Sequence, residues 1–173
     1  MSEKKTENEL PPCGLYRTGR EHNDDDVHIH AGALVMFHNH SNRNMPFVQF
    51  PEENVNNRWS FSETGPGIEN DQAFLDALEP LRDQGVYFLN EHIHTPDGVY
   101  PEFTMVQLGY NRDGNPILFP AKKLPHGQNG YYFEDAGYMF EDLDILKLLS
   151  PETPIDHTHH EDDEPEDESA LLN

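Results

Sequence analysis

A single cysteine, Cys13, stands in a chain of 173 residues. No intramolecular disulfide can form, and no cysteine-based zinc site is available. Basic residues are also scarce: 11 Lys and Arg face 33 Asp and Glu, a formal charge of −22. Such a field repels nucleic-acid phosphates and anionic membranes, and it attracts cations and basic protein surfaces. Direct nucleic-acid binding is therefore not expected. Apolar runs are short, far from the roughly 18 consecutive apolar residues of a membrane span. The first ten residues, MSEKKTENEL, are polar and carry no apolar segment of the kind a secretory signal needs. No membrane association is expected, and a cytoplasmic location follows. P-loop, G-x-G-x-x-G and G-x-S-x-G patterns are missing, so nucleotide binding or serine-hydrolase chemistry through them has no support.

What is present is a β-rich middle between polar ends. Aromatic residues make up 10% of the chain and cluster between residues 37 and 140. The expected organisation is a disordered leader over 1–12, one globular β-rich domain over 13–151, and a disordered acidic tail over 152–173. From Asp156 the tail reads DHTHHEDDEPEDESALLN, with eight acids and no Lys or Arg. Setting those eight aside leaves 25 acids against 11 bases, net −14, so the body is acidic too.

Residues 13–26, with Gly14, Gly19 and three consecutive Asp, read as an irregular entry. ALVMF is apolar on both faces and predicts a central strand over 33–40. PFVQF (46–50) and RWSF (58–61) predict two more strands, with a turn-like stretch over 51–57. DQAFLDALEPL places Phe74, Ala77, Leu78 and Leu81 on one stripe and predicts a helix over 71–84, capped by Asn70 or Asp71 and distorted by Pro80. VYFLNEHIH (86–94) predicts a further strand, TPDG a turn, and NRDG a hairpin between FTMVQLGY and NPILFPA. YYF and YMF around EDAG predict a second hairpin over 131–140. LDILKLL (143–149) predicts a short amphipathic helix. The fold class is a β-dominated α+β domain: a twisted antiparallel sheet or partly open β-barrel, one covering helix and a short C-terminal helix.

Histidine occurs in three H-x-H pairs: His28 and His30, His38 and His40, His92 and His94. Side chains two apart on a strand share a face. If the strands ending at His40 and His94 run side by side in parallel, four imidazoles meet at one sheet end, with His28 and His30 able to join. Imidazole is a good ligand for a divalent transition metal such as Zn, Fe or Ni. Glu91, Glu102 or Asp24 to Asp26 can add a carboxylate. The bland reading is strand-end histidine bonded to backbone or water. GALVMFHNH, Gly32 to His40, resembles the G-x5-H-x-H opening of the cupin motif. That resemblance covers nine residues and implies a small β-barrel, often a metal-dependent oxygenase or isomerase, with His38 and His40 as ligands. The chain departs from the pattern after His40, where Asn44 and Met45 stand in place of the cupin Glu, and the second cupin motif is missing.

Cys13 with a histidine would make a nucleophile pair, although a lone cysteine in a Pro/Gly segment reads first as structural. Trp59, Tyr131, Tyr132, Phe133 and Tyr138 would line a ligand face, or, at strand spacing, pack as core and cross-strand pairs. Two functional expectations result. The first is an acidic interaction protein, of the inhibitor or immunity type, that neutralises a basic partner protein by electrostatic complementarity. The alternative is a small metal-dependent enzyme or metal-binding protein built on the H-x-H pairs.

Overall fold

A computed structural model describes residues 10–24, 27–40, 45–68, 71–125 and 128–151. The expected tail and residues 1–9 of the expected leader lie outside these. Leu10 packs against the core, and Pro12 accepts a hydrogen bond from the Tyr16 hydroxyl at 2.9 Å, so residues 10–12 join the folded body rather than the leader.

In chain order the strands are β1 (Gly14–Thr18), β2 (His22–Asp24), β3 (Val27–Ile29), β4 (Leu34–His38), β5 (Phe47–Gln49), β6 (Pro51–Val55), β7 (Arg58–Phe61) and β8 (Leu78–Pro80). They continue with β9 (Gly85–Leu89), β10 (Ile93–Thr95), β11 (Gly98–Tyr100), β12 (Met105–Tyr110), β13 (Pro116–Lys123), β14 (Tyr131–Phe133), β15 (Tyr138–Met139) and β16 (Leu149–Ser150). Among the described residues one α-helix, α1 (Gln72–Asp76), and one 3-10 helix, Leu143–Leu148, complete the β-dominated fold. Every described strand pair is antiparallel, and no sheet closes into a barrel. The barrel implied by the cupin resemblance is therefore not closed. No helix among the described residues is long and apolar enough to cross a membrane.

Two sheets carry the core. The first runs β5-β4-β1-β8, the second β14-β13-β12-β9-β16 with β15 also on β13. β4 is buried on both faces, as its unbroken apolar run predicts. Leu15 and Leu34 face the second sheet and join Leu89, Val106, Leu108, Leu118 and Leu149 in one cluster. Tyr16, Val35 and Phe37 point the other way, to Ile29, Ile68, Phe74 and Leu75. The first sheet is thus a middle layer between the second sheet and α1. Truncating a fully buried member such as Phe37 or Leu118 to alanine costs about 3–5 kcal/mol.

Several local expectations change. Residues 14–18 are not an irregular entry but the inner strand β1, paired with both β4 and β8. Gly19, part of that expected irregular entry, sits where an added Cβ would lie 2.3 Å from the Ala77 carbonyl oxygen, so it marks close packing. The helix expected over 71–84 stops at Asp76. Pro80 has no N–H and holds Glu79 extended, so Leu78–Pro80 joins the sheet as β8. The stretch over 51–57 is strand β6 closed by Asn56 and Asn57, both at positive φ (51° and 64°), the conformation of a two-residue hairpin turn. VYFLNEHIH is broken: β9 ends at Leu89 and β10 starts at Ile93. The YYF and YMF segments do not pair with each other. Both lie along β13, Phe133 opposite Ala121 and Tyr138 opposite Leu118. The outer strand is interrupted opposite Phe119 and Pro120, where proline offers the ladder no N–H.

Candidate functional site

Each H-x-H pair does place its two rings together. The centroids are 4.2 Å apart for His28 and His30, 6.4 Å for His38 and His40, and 5.3 Å for His92 and His94. The three pairs sit on different hairpins. β10 pairs only with β11, and β4 lies between β5 and β1, so the side-by-side parallel arrangement of the two His-bearing strands does not form. The cause is the bend after Leu89, which sends His92 and His94 out on a separate two-stranded hairpin. Among the described residues no group of three or more His, Cys, Asp or Glu is gathered as a metal site. The individual rings have local partners. His38 stacks on Phe47 at 4.7 Å, and its Nε2 lies 2.8 Å from Gln49 Oε1. His28 Nε2 lies 3.0 Å from His30 Nδ1, and His28 Nδ1 is bonded to the Asn23 side chain.

The histidine near Cys13 is His40. The exposed Cys13 Sγ lies 3.4 Å from His40 Nδ1, donates to Asn39 Oδ1 at 3.2 Å and accepts from the Asn39 amide at 3.3 Å. Asn39 Oδ1 is also 2.9 Å from His40 Nδ1, so the thiol and the amide oxygen share one ring nitrogen. A histidine so placed is committed first to its neighbour in sequence.

A polar concavity lies elsewhere among the described residues. It is a cleft of about 170 Å³ lined by Asp97, Tyr100, Pro120, Lys122, Glu134 and Tyr138 among others. The floor is β13, one wall is the tip of the β10–β11 hairpin, and the other is the interruption between β14 and β15. Gly137 makes that interruption possible: a Cβ there would meet Phe119, Ile117 and the Leu118 carbonyl at 2.6–2.8 Å. The Tyr138 hydroxyl donates to Asp97 Oδ2 at 2.6 Å and lies 3.1 Å from the Tyr100 hydroxyl, tying hairpin to sheet. The Asp97 carboxylate, and then the Tyr100 hydroxyl, hold the Tyr138 phenol well above its ordinary pKa. Lys122 Nζ is bound by Glu134 Oε1 at 2.7 Å, and that hydrogen bond raises the lysine pKa. Sequence reasoning missed Asp97, Tyr100, Lys122 and Glu134. Asp97 reads there only as turn chemistry in TPDG, and nothing brings residue 97 to residue 138. Tyr131 and Tyr132 are exposed (56% and 39%), so they form surface rather than core.

Charge is uneven across the described residues, which carry eighteen carboxylates against eight Lys or Arg. Six of those eight cations are engaged by the protein itself. Arg17 pairs with Glu79 at 2.6 Å, Lys122 with Glu134 and Lys147 with Asp144. Arg58 donates to the Gln84 carbonyl, Arg112 to the Pro51 carbonyl while lying over the Trp59 ring, and Arg82 lies over Tyr87. Comparison with protein-family models, with curated proteins and with solved structures gave no match to this chain.

Proposed function

We propose that this is an interaction protein that binds a basic partner protein through its carboxylate surface, in the cytoplasm. One observation carries the reading: the body holds a large excess of carboxylates, and most of its few cations are already engaged by its own groups. A basic partner would supply the missing countercharge. An inhibitor or immunity role fits this chemistry, because a partner groove built for phosphates also accepts carboxylates. The test is affinity capture on the full chain at low and high salt, with the retained protein identified and its isoelectric point measured. A basic protein retained at low salt and released as the screening length falls below about 10 Å supports the reading. No retained basic protein, or retention indifferent to salt, overturns it.

A second reading makes the H-x-H pairs divalent-metal ligands. It is favoured by the closeness of the paired rings, whose centroids are 4.2 Å apart for His28 and His30, near enough for both rings to turn toward one Zn, Ni or Fe ion. Metal analysis of protein purified without an affinity tag tests it. Stoichiometric metal lost on mutating one pair supports the reading, and metal-free protein that added zinc, nickel or iron does not stabilise refutes it.

A further inference from the structure

The Asp97 carboxylate is the feature of the cleft that its own architecture leaves uncompensated. Its hydrogen-bond donor is a neutral phenol, and no described cation lies within ion-pair distance of it. The one cation in the cleft, Lys122, is held by Glu134. Beside the carboxylate stand two phenol rings, Tyr100 and Tyr138, with centroids 5.7 Å apart and planes tilted by 55°. A carboxylate beside two phenol hydroxyls suits a cation, which gains from the ion pair and can also donate to the hydroxyl oxygens. Size narrows the choice further. At about 170 Å³ the cleft is smaller than the roughly 300–1,000 Å³ of drug-sized sites, so it suits one side-chain head. At the Lys122 end the cleft is bordered by exposed Tyr132, which lies opposite Lys122 across the strand pair and can pack against a long aliphatic stem.

We propose that the Asp97–Tyr100–Tyr138 cleft receives the ammonium or guanidinium head of one Lys or Arg side chain from the basic partner, an inference that rests on the basic-partner reading. The sheet interruption shapes the cleft, Asp97 pairs with the cation, and the two tyrosines flank it. Anchors of this kind, one charged head among exposed aromatics, dominate the energy of many protein interfaces.

The test uses small probes on the full chain: n-butylammonium, n-butylguanidinium, butyrate and butanol, followed by amide NMR. Saturable shifts at Asp97, Gly137 and Tyr138 with the two cations, and not with butyrate or butanol, are expected. Asp97→Asn weakens the cations about tenfold, as loss of a charge-assisted bond does. Tyr138→Phe keeps the ring and frees Asp97 from its hydroxyl, so cation binding persists. Glu53→Gln, which removes an equal charge from the β6–β7 hairpin, leaves affinity unchanged. Equal shifts by butyrate or butanol, wild-type affinity in Asp97→Asn, or equal loss in Glu53→Gln overturns the inference. If Asp97→Asn does not fold, loss of cation binding in well-folded Tyr138→Phe overturns it instead. A basic protein captured equally by wild type and Asp97→Asn sinks the cleft and spares the partner reading. Cation binding at the cleft with no basic protein captured sinks the partner reading alone.

Discussion

His22 Nδ1 lies 2.7 Å from Asp71 Oδ2, while the other oxygen of the same carboxylate accepts the Phe74 amide at 3.0 Å and caps α1. One side chain thus ties the β2–β3 hairpin to the start of the helix. The His22 hydrogen bond is the main reason that the Asp71 pKa is lowered, with the Phe74 amide adding to it. A lowered carboxylate pKa means stability that is present above the unfolded value near 3.8 and is lost as pH falls through the folded value beneath it. Asp71→Asn keeps a good capping residue but removes the charge. The expected loss at neutral pH is about 1 kcal/mol or less, since solvent screens a carboxylate that is partly exposed. Urea midpoints of wild type and variant should converge below about pH 4; a gap that stays constant into acid would refute the assignment.

Tyr138 should be among the last tyrosines to ionise, because its hydroxyl donates to a carboxylate and a phenolate there would face Asp97 directly. In Asp97→Asn the Tyr138 phenol is expected to titrate closer to the ordinary tyrosine range. Carbon-13 tyrosine NMR against pH reads this ring by ring. An unmoved Tyr138 titration would mean that the 2.6 Å bond does not persist in solution.

Gly137→Ala puts a methyl group where Phe119, Ile117 and the Leu118 carbonyl already stand. The expected cost is about 1–3 kcal/mol, the range for overpacking, accompanied by shifted amides across β13 and β15. Thermal unfolding with an amide spectrum checks both. A variant as stable as wild type with an unchanged spectrum would show that the interruption is looser than described.

Trp59 fixes the β6–β7 hairpin to the second sheet. Its Nε1–H donates to the Tyr110 carbonyl at 2.7 Å, and Arg112 covers its ring at 4.7 Å. Trp59→Phe keeps an aromatic ring but leaves that carbonyl without its donor, at an expected cost of about 1–3 kcal/mol. Arg112→Ala in the same background should cost less than it does in wild type, because the ring it covers is smaller. Denaturant melts of the two single variants and the double variant measure the coupling.

The strongest periodic signals were readable directly. The two-face apolar run of β4, the NRDG hairpin and the RWSF strand all formed where the residues indicate. Where the reading failed, tertiary pairing outweighed local pattern. Leu78 continues a helical stripe on paper, but β1 offered it a strand partner and Pro80 barred the next turn. The H-x-H spacing correctly put each pair of rings together. What spacing cannot encode is where one pair lies relative to another, and the three-residue break between Leu89 and Ile93 was enough to separate them. The cleft was illegible for the same reason. Asp97 and Tyr138 are 41 residues apart, and they meet only because Gly137 lets the outer strand approach β13.

The strands that border the two core sheets are all very short. β14, β5 and β8 have three residues each, β15 and β16 have two, and β8 ends in a proline. An outer strand of that length offers a second chain almost no ladder to extend, and like charge on both molecules would oppose the approach. Fibril-type self-assembly through the edges of these two sheets is therefore opposed by the backbone as much as by the carboxylates.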